Sequence, residues 1–190
     1  MKSIASPQQN VYAWLMAFVA LMVSSISFPG VAMAEPIPPD VQAKVDKYKQ
    51  KLVEWAANPV IVAAIKEANA KGPGGMNNGT WDDLKDDDPK VKALQTSAAG
   101  KMLLKWEEDK GINKLYIRDE KGNLAASSNK ALLFNNVSRP QFSNSIKGQV
   151  WAANEMKPDP TTQVMSVQIS VPIMDGGKPI GVMNSSVSSK

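Results

Sequence analysis

The alternation of apolar and polar residues divides the chain after residue 34 into a helical first half and a strand-rich second half. At the start of the helical half, apolar residues recur at spacings of three and four, which places them on one stripe of a helix. These residues are Val41, Val45, Tyr48, Leu52 and Trp55. Asp40 is expected to cap this helix at its start. Asn58 and Pro59 predict a second, buried helix that runs to Ala70.

A glycine-rich loop, residues 71–79, follows the second helix, and Trp81 is expected to pin it to the body of the protein. Asp88 and Pro89 then predict the start of a third helix, which the apolar spacing extends from residue 90 to about residue 109. Gly111 is expected to end it.

Strand patterns dominate the second half of the chain. Residues 114–118 and 124–127 predict a hairpin, and Arg139-Pro140 predicts the start of a short helix. Further strands are predicted at 149–153, at 164–171 and at 180–187. Helices followed by antiparallel strands favour an α+β domain with a single sheet.

The clearest strand, 164–171, separates two chemical faces. Its odd positions are apolar, whereas Ser166, Gln168 and Ser170 share the other face. A polar face of this kind is typical of a strand that faces solvent, and it also suits the floor of a polar pocket. The alternation alone leaves both interpretations open.

The N-terminal segment, residues 1–34, has the features of a secretory signal peptide. Lys2 is its single charged residue, residues 11–28 are almost wholly apolar, and Ala32-Met33-Ala34 forms a small-x-small cleavage site. We therefore expect export to a bacterial periplasm, cleavage after Ala34 and one domain over residues 35–190. The alternative is an uncleaved inner-membrane anchor, since the apolar run is just long enough to span a bilayer.

Composition excludes several classes of chemistry. The chain contains no His and no Cys, so the common ligands of zinc, haem and iron–sulfur clusters are missing, as are Ser-His-Asp and Cys-His catalysis. The net charge of +4 is dispersed, which argues against a nucleic-acid surface. We expect no enzyme activity, no cofactor and no metal site. Calcium at the acidic cluster of residues 82–88 is the weaker alternative, because Asp88 is explained by helix capping.

Four stretches in this order resemble the Cache family of extracytoplasmic, PAS-like sensor domains, also called PDC sensors. They are residues 111–127, Ser138-Arg-Pro-Gln-Phe142, Val164-Met-Ser-Val-Gln-Ile-Ser-Val-Pro-Ile173 and Gly177-Lys-Pro-Ile-Gly-Val182. The resemblance covers residues 35–190 and fits a single Cache domain. It implies a PAS-like antiparallel sheet of five to six strands packed on a long N-terminal helix. It also implies a small-ligand pocket on the other face of the sheet.

The resemblance also implies a site. In the family, an Arg with nearby aromatic residues forms the lid of the pocket, and the corresponding residues here are Phe134, Arg139, Gln141 and Phe142. An Arg suits a carboxylate, because its planar fork donates two parallel hydrogen bonds. The remaining candidates for ligand contacts are Trp151, Asn154, Gln168, Asn184 and Ser186. Core positions for both phenylalanines and Trp151, and a surface position for Arg139, are the alternatives.

One departure from the family narrows the expected ligand. Family members that bind amino acids place an Asp in the last strand, and Ser186 stands at that position here. A small carboxylate or a neutral polar metabolite is therefore expected in place of an α-amino acid.

Two functions remain open from the sequence. The first is a periplasmic ligand-binding sensor. Because the sequence ends at Lys190, directly after the last strand, it would act alone and pass its state to a separate membrane receptor or signalling protein. The second is a structural or interaction module whose pocket is filled by Phe134, Phe142 and Trp151. A weak homodimer through the N-terminal helix, Val41–Ala57, is also expected.

Overall fold

A long N-terminal helix, α1 (Pro39–Ala56), packs on one face of an antiparallel sheet in a computed structural model that describes residues 35–189. The predicted stripe is confirmed, since Val41, Val45, Tyr48 and Leu52 are buried. Trp55 is half-buried and stacks on Trp106, with ring centroids 4.7 Å apart. The predicted signal peptide lies outside the described residues. Within residues 35–189 no helix is long and apolar enough to cross a bilayer.

Five further helices follow. They are α2 (Pro59–Lys71), α3 (Asn78–Asp82), α4 (Pro89–Thr96), α5 (Ala98–Glu107) and α6 (Pro140–Ser145). The caps predicted at Asn58 and Asp88 are confirmed, because each side chain accepts a hydrogen bond from a backbone N–H two residues further on. Such caps satisfy donors that have no partner within the helix.

Three predictions about the helices are wrong. Gly111 does not end the third helix, because its last helical residue is Glu107 and its C-cap is Glu108. Asp40 does not cap α1: the cap position is Pro38, and Asp40 lies in the first turn behind Pro39. The predicted third helix is two helices, α4 and α5, separated at Ser97, which has extended backbone angles. The Ser97 hydroxyl accepts from the Gly100 N–H at 3.0 Å, so Ser97 starts a new helix.

The sheet has seven strands, two of which contain only two residues. They are β1 (Glu35–Pro36), β2 (Ile112–Asp119), β3 (Leu124–Ser127), β4 (Trp151–Ala152), β5 (Glu155–Pro158), β6 (Met165–Asp175) and β7 (Lys178–Ser188). Their order is β1-β5-β6-β7-β2-β3, and β4 also pairs with β6. The predicted α+β class, with an antiparallel sheet on a long N-terminal helix, is confirmed. Five of the seven strands are longer than two residues, so the expected five to six strands agree with the longer strands and fall short of the total of seven.

The two faces of the sheet differ in chemistry. On β6, Val167, Ile169, Val171 and Ile173 are fully buried in the core against α1. Burying one such side chain stabilises the fold by about 1.5–3 kcal/mol, so this face fixes the register of the sheet. The alternate residues, including Ser166 and Gln168, point to the opposite face.

A second apolar cluster holds the segment 128–139, which connects β3 to α6. Its buried members are Trp81, Val91, Leu124, Ala131 and Phe134. The Trp81 indole N–H donates to the Ala131 carbonyl at 2.7 Å, and the Trp81 and Phe134 rings lie 5.7 Å apart. Met76 of the glycine-rich loop also packs against this cluster. Trp81 therefore fixes both this loop, as predicted, and the segment that borders the polar face of the sheet.

Candidate functional site

A cavity of about 560 Å³ lies on the sheet face opposite α1. Its floor consists of alternate residues from three adjacent strands, β2, β7 and β6: Lys114, Tyr116, Arg118, Asn184, Ser166 and Gln168. Two segments form its walls: residues 131–141 lead into α6, and residues 153–161 run through β5. The volume is within the range of small-molecule sites.

Arg118 is the most deeply placed charged group in this cavity, with 3% of its surface exposed. Its Nη1 donates to the carbonyls of Gly122 at 3.1 Å and Phe134 at 2.6 Å, and its Nη2 donates to that of Leu133 at 3.0 Å. Burial lowers the pKa of Arg118 to about 10, so the guanidinium is still charged at neutral pH. It has no ion-pair partner among residues 35–189.

Three buried polar atoms of cavity residues make no hydrogen bond within the described chain. They are Arg118 Nε, Asn136 Oδ1 and Asn184 Oδ1. A buried polar group without a partner costs about 1–3 kcal/mol, and such groups in proteins normally bind water or a ligand. Three residues of the cavity lining thus carry one unused donor on a cation and two unused acceptors, and each of these atoms is itself buried.

The charged side chains give the cavity a positive balance. Lys114 pairs with Asp159, with Nζ and Oδ1 2.5 Å apart, and Lys157 pairs with Glu155. Arg118 and Arg139 also line the cavity, and within residues 35–189 neither has an acidic partner. Two uncompensated positive charges in a partly desolvated site favour an anion.

The Lys114–Asp159 pair is the more buried of the two. The side chains are 6% and 13% exposed. Burial alone would raise the pKa of Asp159, but hydrogen bonds from Lys114, Thr162 and Thr161 outweigh it and lower the pKa to about 2. Near neutral pH the cavity thus contains an intact internal ion pair beside its two unpaired arginines.

Six of the nine predicted site residues line this cavity. They are Arg139, Gln141, Trp151, Asn154, Gln168 and Asn184. Arg139 is exposed at the rim, and Asn184 contributes one of the unpaired oxygens. The polar face of β6 thus forms part of the cavity floor, although Ser170 is used internally and donates to the Gln141 carbonyl at 2.7 Å.

The other three predicted residues lie elsewhere. Phe134 packs on Trp81 and lines a second, smaller cavity of about 290 Å³. Phe142 is buried on α6, away from the cavity surface. The Ser186 hydroxyl donates to the Asn113 carbonyl at 2.9 Å, so it serves the pairing of β7 with β2. In all three cases the packing of the fold takes the side chain away from the cavity.

Sequence reasoning missed many cavity residues, and the polar ones among them include Lys114, Tyr116, Arg118, Asn136 and Asp159. The first three alternate along β2 with the buried residues Leu115 and Ile117, and this alternation was the available signal. Asn136 and Asp159 belong to loops, where the sequence has no periodicity that indicates direction. The acidic cluster of residues 82–88 forms no group suited to a metal ion within the described chain.

We expect the protein to lose stability in acid because of two carboxylates. The pKa of Asp109 is lowered to about 2 by hydrogen bonds from Lys51 and Tyr48, and that of Asp159 is also about 2. A carboxyl group whose pKa is lower in the folded than in the unfolded state stabilises the fold at pH values above its ordinary pKa of 3.8. This contribution, about 2 kcal/mol for Asp159 and less for the more exposed Asp109, is lost between about pH 5 and pH 2.

Urea unfolding at a series of pH values measures this loss. In Asp159→Asn the free energy of unfolding should be lower at pH 7 and should fall less steeply towards pH 2 than in the wild type. An equally steep fall in this variant would mean that Asp159 is not one of the groups responsible.

Comparison with known proteins finds likeness in structure alone. No family model matches the sequence, and no curated protein matches it. The sensor domain of the histidine kinase DctB of V. cholerae matches with a TM-score of 0.42 and 21% identity over 78% of this chain and 57% of that chain. The ligand-binding domain of the Pseudomonas aeruginosa chemoreceptor PctC, in complex with GABA, matches with a TM-score of 0.43 and 12% identity over 80% and 56%.

The sensory domain of the Campylobacter jejuni chemoreceptor Tlp3, with isoleucine bound, matches with a TM-score of 0.41 and 13% identity over 80% of this chain and 64% of that chain. The present chain thus spans less than two thirds of each of these three domains. The three are the sensor or ligand-binding domains of one histidine kinase and two chemoreceptors.

Proposed function

We propose that this protein is a periplasmic sensor domain that binds a small carboxylate in the 560 Å³ cavity and passes its state to a separate membrane signalling protein. One observation carries the proposal. Arg118 is a buried cation in the cavity with no anionic partner among residues 35–189 and one N–H unused. A cation in this position is strongly stabilised by an anion, because the surrounding dielectric is low.

The unused polar atoms describe the ligand further. Arg118 Nε donates to a carboxylate oxygen, and Arg139 at the rim offers its full fork to the same group. Asn136 and Asn184 each present an unused carbonyl oxygen, which requires a donor on the ligand. A carboxylate that also carries a hydroxyl group meets both demands. The two acidic residues of the cavity are already paired with lysines, so no unpaired carboxylate among its lining residues is left to hold an ammonium group.

The interaction-module alternative requires a filled pocket. It needs Phe134, Phe142 and Trp151 to occupy the space, but only Trp151 reaches the cavity, and about 560 Å³ remains. A small ligand is therefore the better use of this face of the sheet.

The first test is a thermal-shift screen of the protein purified from cells that express the full chain. Acetate, lactate, glycine, γ-aminobutyrate and glucose represent carboxylates, hydroxycarboxylates, amino acids and neutral metabolites. We expect lactate to be the best of these probes, because it has both a carboxylate and a hydroxyl. A ligand at about 100 times its Kd stabilises the fold by about 2.7 kcal/mol, which raises the Tm by several degrees.

Two variants assign the binding to the cavity. Arg139→Ala should remove most of the shift and leave the Tm of the free protein unchanged, since the side chain is exposed and unpaired. Lys101→Ala, which removes an exposed cation on α5 outside the cavity, should change neither value. A response to glucose alone, or an equal shift in Arg139→Ala, would contradict a carboxylate site.

Export, partner and oligomeric state are separate parts of the proposal. Mass spectrometry of the periplasmic fraction should give a mature protein that begins at Glu35, the residue with which the described strand β1 begins. Retention of residues 1–34 in the membrane fraction would establish the anchored form. Crosslinking in the periplasm should capture a membrane signalling protein, and sedimentation at increasing concentration tests for a weak dimer through α1.

A further inference from the structure

Lys114 has an unusual backbone conformation at the edge of the cavity. Its φ of 74° lies in the left-handed region, which residues other than glycine seldom adopt. The register between β2 and β7 shifts between Ile112 and Leu115, so Lys114 occupies a bulge. A strained, buried residue persists only where its surroundings hold it in place. The strongest contact that holds Lys114 is the ion pair with Asp159.

Asp159 begins the 159–164 loop, which connects β5 to β6 and borders the cavity. Its Oδ1 accepts from the N–H groups of Thr161 and Thr162, each at 2.9 Å, and from Lys114 Nζ at 2.5 Å. One oxygen atom therefore gives the loop its shape and also attaches it to the sheet.

The rest of the loop has few other attachments. Residues 160–163 are exposed. Lys114 contacts Asp159 and Thr161 of the loop. The other side-chain hydrogen bonds between the loop and β2 join Asn113 to Thr162, at 3.2 and 3.3 Å. A segment with exposed residues and few buried contacts opens at low cost, so the Lys114 contact dominates its position.

We propose that Lys114 is a specificity-determining residue of the cavity whose ammonium group is occupied by Asp159 until a carboxylate other than the one held by the arginines replaces it, and that this replacement releases the 159–164 loop. The inference rests on the proposed carboxylate-binding function and adds to it a residue and a conformational output. Exchange of one carboxylate for another keeps the buried ammonium paired, so it avoids the large cost of an unpaired buried charge.

The other lysine pair of the cavity is more exposed and does not attach a loop to the sheet. In the pair of Lys157 with Glu155 the side chains are 61% and 37% exposed, and both residues lie on the same short strand, β5. Water screens such a pair, and its loss frees no loop. Lys157 is therefore a matched control for Lys114.

Hydrogen exchange of the backbone amides of residues 159–164, followed by mass spectrometry or NMR, tests the attachment without any ligand. Lys114→Met should speed exchange in this loop by roughly tenfold or more, whereas the amides of β6 and β7 should keep their wild-type rates. Lys114→Arg should largely restore the protection, and Lys157→Met should have no effect. The double variant Lys114→Met with Asp159→Asn removes both charges, so it tests the same loop if the single variant does not fold. Unchanged loop exchange in these variants would overturn the inference.

Acetate carries the same carboxylate group as the Asp159 side chain, so it tests whether a free carboxylate can replace Asp159 at Lys114. Compared with chloride at equal ionic strength, acetate should speed exchange of the 159–164 loop in the wild type and have no further effect in Lys114→Met. Asp159→Asn should bind acetate more tightly than the wild type, because the ammonium no longer has an internal partner.

The thermal shift tests the carboxylate site, and the hydrogen exchange of the loop tests its release. A thermal shift with acetate or lactate but no acceleration of the loop would overturn the release mechanism and leave the carboxylate site standing. No thermal shift with any carboxylate would overturn the proposed function. A loop that responds to chloride as strongly as to acetate would show screening by salt and would overturn the replacement.

Discussion

Replacing Arg118 with methionine should abolish carboxylate binding and lower the free energy of unfolding by about 3 kcal/mol. Methionine fills much of the same volume but cannot donate, so three main-chain carbonyls lose a partner. Two of these carbonyls keep a second bond, because Gly122 O also accepts from Asn136 N–H and Phe134 O from Leu124 N–H. The loss at Leu133 and the loss of the cation should account for most of the effect.

Urea unfolding and the thermal-shift screen, run side by side, distinguish the two roles of this side chain. Arg118→Met should change both stability and binding, whereas Arg139→Ala should change binding alone. Arg118→Lys should keep the positive charge but reach fewer carbonyls, so we expect intermediate stability and weakened binding. Wild-type affinity in Arg118→Met would mean that the ligand does not contact the guanidinium.

Replacing Trp81 with alanine should cost about 3–5 kcal/mol and also weaken ligand binding. The side chain is 1% exposed, packs against Phe134 and donates to the Ala131 carbonyl. Its removal leaves a void beneath the segment 128–139. Within this segment Leu132, Leu133 and Asn136 line the cavity, and the carbonyls of Leu133 and Phe134 accept hydrogen bonds from Arg118. The wall and the orientation of Arg118 should loosen together.

Trp81→Phe and Trp55→Ala are the matched controls for this prediction. Trp81→Phe keeps most of the ring volume and should cost about 1–2 kcal/mol through the lost hydrogen bond. Trp55→Ala removes a tryptophan stacked on Trp106, outside the cavity lining, so it should lower stability without changing ligand affinity. If Trp81→Ala lowers stability while the affinity stays at its wild-type value, the wall of the cavity does not depend on this cluster.

The sequence predicted the elements that have one strong period. The stripe of α1 and the alternation of β6 each repeat often enough to identify both the element and its buried face. The break between α4 and α5 was missed because the apolar spacing continues across Ser97, where a single hydroxyl starts a new helix. Strand β5 was missed because Pro158 and the polar residues around it have the composition of a turn. These residues form a strand because they pair with β6, and the sequence does not show this pairing.

The site was predictable where the resemblance supplied positions or where alternation gave a direction. Arg139, Gln141 and Asn184, which were predicted on this basis, line the cavity. Phe134 does not line it, because it packs in the apolar cluster around Trp81, whereas Leu132, Leu133 and Asn136 line the cavity. Arg118 was overlooked because a buried arginine is rare, and its hydrogen bonds to three carbonyls come from residues that only the fold brings close.

The position of β7 has a consequence for how the chain folds during synthesis. This strand is the most C-terminal element of the described residues, yet it lies between β6 and β2 in the middle of the sheet. Until residues 178–188 have left the ribosome, the β2–β3 hairpin and the β5–β6 pair have no strand to join them. Such high contact order slows folding, so we expect the nascent chain to stay largely unfolded until residues 178–188 have emerged from the ribosome.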